Sequence, residues 1–179
     1  MVDSLTIVPL SRENFRDVNR ANQAFDVIGR LIPCLRHGQW SFTEELFPEP
    51  YPKTYEDDSE DFFTQHMDVL DKAAYLAYLD GQCVGQLVLK ADWNGYCFIE
   101  DICVARDCRG RGVGSALIEK AKDWAKEREL SGLALETQDN NLLACRFYQR
   151  QGFQLGGVNT LFYRNFHNPE TALFWYLLF

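Results

Sequence analysis

Residues Val104 to Ala125 read VARDCRGRGVGSALIEKAKDWA. Three arginines and three glycines at alternate positions, Gly110, Gly112 and Gly114, separate the apolar segment IEDICV from a segment with helical periodicity. Alternate glycines strip every second side chain from a loop, so a ligand can approach the backbone amides closely. Val113, Leu117, Ala121 and Trp124 then fall on one face at helical spacing. A strand, a glycine-rich turn and a helix present unpaired N–H groups and partial positive charge at the helix start. The expected guest is an anion.

Two common phosphate loops do not fit. A P-loop closes on Gly-Lys-Ser/Thr, whereas Gly114-Ser115 is preceded by Val113 and carries no lysine. A dinucleotide fingerprint beginning at Gly110 needs glycine at position 115, which is serine. The pattern R/Q-x-x-G-x-G/A remains, and Arg109-Gly110-Arg111-Gly112-Val113-Gly114 matches it throughout.

Composition sets outer bounds. With 179 residues, 46% of them hydrophobic and 25% charged, the chain reads as one globular domain over 1–179. The start, MVDSLTIVPLSRENF, lacks the features of a signal peptide, and the longest apolar run, ALFWYLLF at Ala172–Phe179, is too short for a membrane span. A cytoplasmic location without membrane contact is expected. The six cysteines form no C-x-x-C pair and the three histidines lie far apart, so no metal is expected. Between Glu44 and Asp61 stand eight acidic residues against one lysine, so nearly all of the net charge of −8 sits in one block. Such a block repels nucleic acid and attracts cationic ligands, or is a solvated loop with no further role.

Along the chain, SLTIVPL predicts a first strand and SRENFRDVNRAN a polar helix capped by Ser11. The proline-containing stretch from Phe25 to Asp61 predicts short helices and loops, and EDFFTQHMDVLDK a helix. AAYLAYLD, QCVGQLVLKADW and YCFIEDICVA read as three strands joined by Asp80-Gly81 and Asn94-Gly95, both favoured hairpin turns. The helix after the glycine loop is expected to end near Ser131-Gly132. LALET is then a strand, NNLLACRFYQRQG a helix stopped by Gly152, and FQLGGVNTLFYRNF and TALFWYLLF are further strands. The closing run reads as a buried strand or as part of a homodimer surface. The strands flanking the glycine-loop helix are expected to be parallel and the rest antiparallel, giving an α+β fold.

The glycine motif after IEDICV resembles the coenzyme A loop of the GNAT acetyltransferase superfamily. NNLLACRFYQRQGF adds a second match, to N-x-x-A-x-x-x-Y-x-x-x-G-F, at Asn141, Ala144, Tyr148, Gly152 and Phe153. The order and separation of the motifs make coincidence a poor explanation. Within the superfamily, IEDICVARDCRGRGVGSAL, LALETQDNNLLACRFYQRQGF, the acidic block and ALFWYLLF look like streptothricin N-acetyltransferases, most densely over Phe98–Phe153. The resemblance implies a GNAT fold: a mixed, mostly antiparallel seven-stranded sheet with helices on both faces and a central parallel pair. It implies acetyl-CoA as cosubstrate, held by Arg109, Gly110, Arg111, Gly112, Val113, Gly114 and Ser115, by backbone groups of Ile102, Cys103 and Val104, and by Asn141, Ala144, Phe147 and Tyr148. It also implies acetylation of the β-lysine amine of streptothricin, which inactivates that antibiotic. Acetylation of polyamines or protein amines, and a non-catalytic acyl-CoA module, are the alternatives.

An amine attacks a thioester only when unprotonated, and a lysine-like amine of pKa about 10.4 is neutral to the extent of roughly one part in a thousand at pH 7. A carboxylate can bind the cation and accept its proton. Glu100 and Asp101 on the strand beside the loop, and Glu136 at the end of LALET, are the candidates. Strict strand alternation sends Glu100 and Asp101 to opposite faces, and the family resemblance favours Glu100. Tyr148 is the candidate acid for the departing thiolate. Cys103 invites a covalent acyl-enzyme reading, which the absence of a sequence-adjacent histidine and the direct transfer used by GNAT enzymes disfavour. A cationic substrate would meet Asp26, Trp40, Glu44, Glu45, Tyr51, Tyr55 and Asp101, the aromatic faces holding ammonium groups.

Overall fold

The computed structural model describes residues 4–166 and 170–179. Two compact units are present: residues 1–24 with 54–133, and residues 25–53 with 134–179.

The first unit is built on the antiparallel strands β1 (Leu5–Pro9), β4 (Lys72–Leu79), β5 (Gln82–Ala91) and β6 (Cys97–Val104), adjacent in that order. The β2 (Phe25–Arg36) and β3 (Gln39–Lys53) strands belong to the second unit. Asp80 and Gly81, at φ 51° and 80°, make the expected two-residue turn between β4 and β5. Helix α2 (Val113–Lys126) buries Val113, Leu117, Ile118, Ala121, Trp124 and Ala125, which extends the apolar stripe read from the sequence. It sits directly on β5 at Gly85, where an added Cβ would lie 3.1 to 3.2 Å from Ala77, Leu117 and Val113. Leu117 and Ile118 are fully buried, each contributing about 1.5–3 kcal/mol of hydrophobic stabilisation. Val88, three residues further along β5, joins Leu10, Phe63, Ala74 and Leu76 in a separate apolar cluster. Phe63 comes from the short helix α1 (Glu60–Thr64), capped by Ser59.

Helix expectations in this unit were too long. Only a 3₁₀ turn, Phe15–Asp17, forms within SRENFRDVNRAN, because Asn14 accepts from the Ser11 amide and Asn19 adopts φ 64°. EDFFTQHMDVLDK is helical only over α1, with Asp68 at φ 54° beyond it, and α2 stops at Lys126, before Glu129 at φ 56°. Left-handed residues cannot continue a right-handed helix.

Strand β7 (Gly132–Gln138) begins in the first unit as the parallel neighbour of β6 and continues in the second. There the order is β7, β9 (Ala172–Leu178), β8 (Gln154–Asn159). The seven strands form the mixed, mostly antiparallel arrangement expected of the fold class. The closing apolar run is the paired strand β9, with Leu173 and Trp175 fully buried and the Trp175 indole N–H donating to Thr137 Oγ1 at 3.0 Å. FQLGGVNTLFYRNF is strand only as far as Asn159.

Residues 25–53 overturn the expectation of short helices and loops. They form a long hairpin, β2 (Phe25–Arg36) and β3 (Gln39–Lys53), closed by His37 and Gly38 at φ 51° and 77°. Its register moves from Val27↔Tyr51 to Gly29↔Leu46, so Phe47-Pro48-Glu49-Pro50 bulges opposite a single β2 residue. Prolines lack the N–H that a ladder needs, and this bulge takes two of them without losing a pair. Helix α3 (Leu142–Arg150), capped by the Asn141 side chain, completes the unit. Among the described residues no helix is long and apolar enough to cross a membrane.

Candidate active site

The glycine loop of the first unit leaves β6 through a 3₁₀ turn, Arg106–Cys108, and enters α2 at Gly112. Gly110 and Gly112 have φ of 76° and 86°, conformations strained for any side chain. A Cβ added at either would have no neighbour within 4 Å, and Gly112, as the N-cap of α2, has no side chain to cap it. The space beside both glycines is empty, which lets a ligand approach the loop backbone closely. Arg109 has a different use from the one its charge suggested. Its guanidinium donates to the carbonyls of Val104, Ala24 and Gln23 at 2.9, 3.0 and 2.9 Å, clamping the loop's shape.

Upstream on β6 a second feature departs from expectation. Val88 pairs with Asp101 and Leu89 with Ile99, which leaves Glu100 as the extra residue of a β-bulge. A bulge breaks alternation, so Glu100 and Asp101 no longer take opposite faces. Glu100 Oε1 lies 3.2 Å from Lys90 Nζ, and its Oε2 lies 2.6 Å from His66 Nε2. Asp101 Oδ2 accepts from Gln86 Nε2 at 2.6 Å, and Gln86, Val88 and Lys90 alternate onto one face of β5. Asp58, just before α1, feels both carboxylates. Glu100, Asp101 and Asp58 thus lie near one another, with Lys90 and His66 beside Glu100.

Burial is the main force on these acids. It raises the Asp58 carboxyl, with Glu100 adding repulsion, and pushes Asp101 from 3.8 up to about 6 against the hydrogen bond from Gln86. Burial, then Asp101, raises the Cys103 thiol well above its ordinary range. A thiolate is therefore disfavoured at Cys103, which argues against the covalent reading. Across the window from 3.8 to about 6 the folded chain holds a proton on Asp101 that the unfolded chain has lost, so this group's contribution to stability falls as pH rises through it. Asp101→Asn is expected to flatten the stability–pH curve over that range. Urea midpoints measured across the range test this, and an unchanged slope would assign the dependence to another carboxyl.

In the second unit Glu136 on β7 accepts from the Tyr163 hydroxyl at 2.7 Å through Oε2, while its Oε1 is buried with no hydrogen-bond partner. Burial pushes this carboxyl up to about 6. Asn141 Oδ1 accepts from the Ala144 amide at 3.2 Å, so both motif residues shape the start of α3. Tyr148 is buried, its ring set edge-on to Phe147 and Phe153 at 5.3 and 5.6 Å.

The expected substrate contacts divide between the units. Glu44 is held by a two-pronged bond from Arg146, and Glu45 by Arg30. Tyr51 stacks on Phe47, and Trp40 lines a hollow of about 620 Å³ with Phe42, Gln149 and Trp175. Asp26 lies on β2 opposite Pro52. Tyr55 and Asp101 belong to the first unit, where Asn22 Nδ2 donates to Tyr55 O and to Asp57 Oδ1 and Asn19 Nδ2 to Asp58 O. The acidic block is therefore ordered strand, tethered turn and helix, not a free loop. His66, Lys90, Gln86, Asp58 and Tyr163 were not singled out from the sequence, and no local spacing marks them.

Residues 40–153 match the acetyltransferase (GNAT) family. The chain belongs to that family. Streptothricin acetyltransferase A of Bacillus subtilis (strain 168) is 47% identical over 174 residues, 97% of this chain and 99% of that protein. Streptothricin acetyltransferase of Escherichia coli is 37% identical, over 92% of this chain and 82% of its own length. A Bacillus anthracis str. Ames protein crystallised with acetyl coenzyme A has a TM-score of 0.90 at 37% identity, covering 98% of this chain and 100% of that one. This GNAT chain is accordingly an acetyl-CoA-dependent N-acetyltransferase.

Proposed function

We propose that this enzyme acetylates the β-lysine amine of streptothricin and so confers resistance to it, acting as one functional domain over 1–179 in the cytoplasm. The observation that carries the reading is the grouping of Glu100, Asp101 and Asp58 about the β6 bulge, three carboxyls of which Glu100 is partly exposed and able to receive an amine. The 47% identity to a Bacillus subtilis streptothricin acetyltransferase over nearly the whole chain supports the choice of amine.

In this reading the loop amides from Gly110 to Ser115, with Arg111, hold the pyrophosphate, and the backbone of Ile102, Cys103 and Val104 binds pantetheine. Asn141, Ala144 and Phe147 shape the α3 side of the cofactor site. Acetyl-CoA supplies an electrophilic thioester carbonyl. Glu100 binds the acceptor ammonium and takes one proton from it, freeing the nitrogen lone pair to form the new N–C bond. As the C–S bond breaks, the electron pair leaves on sulfur, and Tyr148 gives that thiolate its phenolic proton; the second proton lost by the newly acylated nitrogen passes through solvent to restore the Tyr148 phenol, and Glu100 releases its own proton to solvent. Glu136, with an unpartnered buried oxygen, holds a further ammonium of the polycationic substrate. Trp40, Tyr51 and Tyr55 offer aromatic faces to it.

The test is thiol release from acetyl-CoA with streptothricin, spermidine and lysine peptides as acceptors. Turnover with streptothricin at least about a hundredfold more efficient than with the others is expected. Turnover of spermidine without streptothricin would overturn the assignment.

A further inference from the structure

Deepening that reading, and resting on Glu100 as the base, we propose that His66 is a positioning residue for Glu100. It holds one carboxylate oxygen and keeps the carboxylate ionised by lying beside it as an imidazolium.

The argument is proton counting. His66 Nδ1 lies 2.7 Å from the carbonyl oxygen of Phe62, which can only accept, so Nδ1 carries a proton. Nε2 lies 2.6 Å from Glu100 Oε2. If Glu100 is ionised, Nε2 must donate as well and the ring is cationic; otherwise the carboxyl keeps the proton and donates to a neutral ring. One proton is shared in either arrangement, and the surrounding charges select between them. Lys90 Nζ, 3.2 Å from Glu100 Oε1, favours the carboxylate, and Asp58 favours the imidazolium. The Phe62 ring, 4.7 Å from the imidazole, adds a further face for a cation. His66 also borders a hollow of about 450 Å³ lined by Asp68, Lys72 and Arg128, one anion and two cations.

The consequence bears on catalysis. Asp58 lies near Glu100 and Asp101 is its chain neighbour, so two further acids stand beside the base. A general base must be ionised to act. With its side chain only 2% exposed, His66 delivers its compensating charge with little screening. A carboxylate has about four acceptor positions; His66 and Lys90 take two, leaving others for the acceptor amine.

The experiment combines kinetics and spectroscopy on the full chain. His66→Gln keeps a hydrogen-bond donor but no charge. The expected result is a fall of about tenfold to a hundredfold in kcat/KM for the amine at pH 7, and an upward shift of roughly one unit in the acidic limb of its pH profile. The KM for acetyl-CoA should hold. In the unaltered enzyme, imidazole ¹⁵N resonances should show both His66 nitrogens protonated at neutral pH, and Glu100→Gln should return the ring to one neutral tautomer. A folded His66→Gln enzyme with a superimposable pH profile would overturn the proposal. So would a neutral His66 in the unaltered enzyme, a measurement that decides the matter even where the variant does not fold. If no amine is turned over, the proposed reaction fails, while the ¹⁵N spectrum still reads the His66–Glu100 pair.

Discussion

Glu100→Gln is expected to lower kcat/KM for the acceptor amine by about 10²- to 10⁴-fold at pH 7, with the KM for acetyl-CoA held within about twofold. The loss is large because the substitution removes the proton acceptor that the β6 bulge, Lys90 and His66 jointly hold in place. It leaves the glycine loop untouched, since Arg109 fixes that loop through carbonyls of Gln23, Ala24 and Val104. The pH profile carries the sharper signature. Without a base, the reaction depends on the fraction of amine already neutral, about one part in a thousand at pH 7 and about half near pH 10.4. The variant's rate should therefore climb roughly tenfold per pH unit, and its deficit should shrink steadily as pH rises. A variant profile parallel to that of the unaltered enzyme would shift the role to Asp101 or Glu136. Thermal melting of the variant separates this result from unfolding, because His66 loses its counter-charge in the same step.

What was legible in the sequence was local. Gly110 and Gly112 adopt the left-handed backbone that alternate glycines suggest, and Val113, Leu117, Ala121 and Trp124 are all buried on α2. Asp80-Gly81 turns as its composition dictates, because both residues tolerate positive φ. The hairpin over residues 25–53 was hidden by its prolines, which argue against strand until one knows that four residues bulge opposite one. The bulge at Glu100 was hidden for a related reason. Alternation is a rule about a regular strand, and nothing within IEDICV signals that β5 skips a pairing there.

The carboxylate cluster was less legible still, because its members come together only through tertiary structure. His66 is 34 residues from Glu100 in sequence, follows no motif, and reads equally well as an inert core histidine. Asp58 stood within an acidic block whose charge was visible but whose direction was not. Asn19 and Asn22 decide that direction by holding the turn that carries Asp57 and Asp58, and neither is marked by the block itself. Charge patterning thus located the acidic segment, while only hydrogen bonds to distant residues say which of its acids meets the β6 pair.

The remaining role is assigned to a proton donor on the other motif. Tyr148→Phe removes a single oxygen and keeps a ring of the same shape against Phe147 and Phe153, so folding stability should change little. Its expected effect is a fall of about 10²- to 10³-fold in kcat with both KM values within about twofold. That split follows from timing: a donor to the departing sulfur interacts with charge that exists only as the C–S bond breaks, so its loss appears in kcat and not in ground-state binding. A residue that merely packed against pantetheine would do the reverse, raising the KM for acetyl-CoA with kcat preserved. Steady-state kinetics at saturating amine, with direct measurement of acetyl-CoA binding, distinguish the two. Undiminished turnover across the pH range would remove Tyr148 from the acid role and leave solvent as the donor. Combined with Glu100→Gln, the variant should lose less than the product of the two single losses if proton removal and thiolate protonation occur in one transition state, because either deletion alone already disables that step.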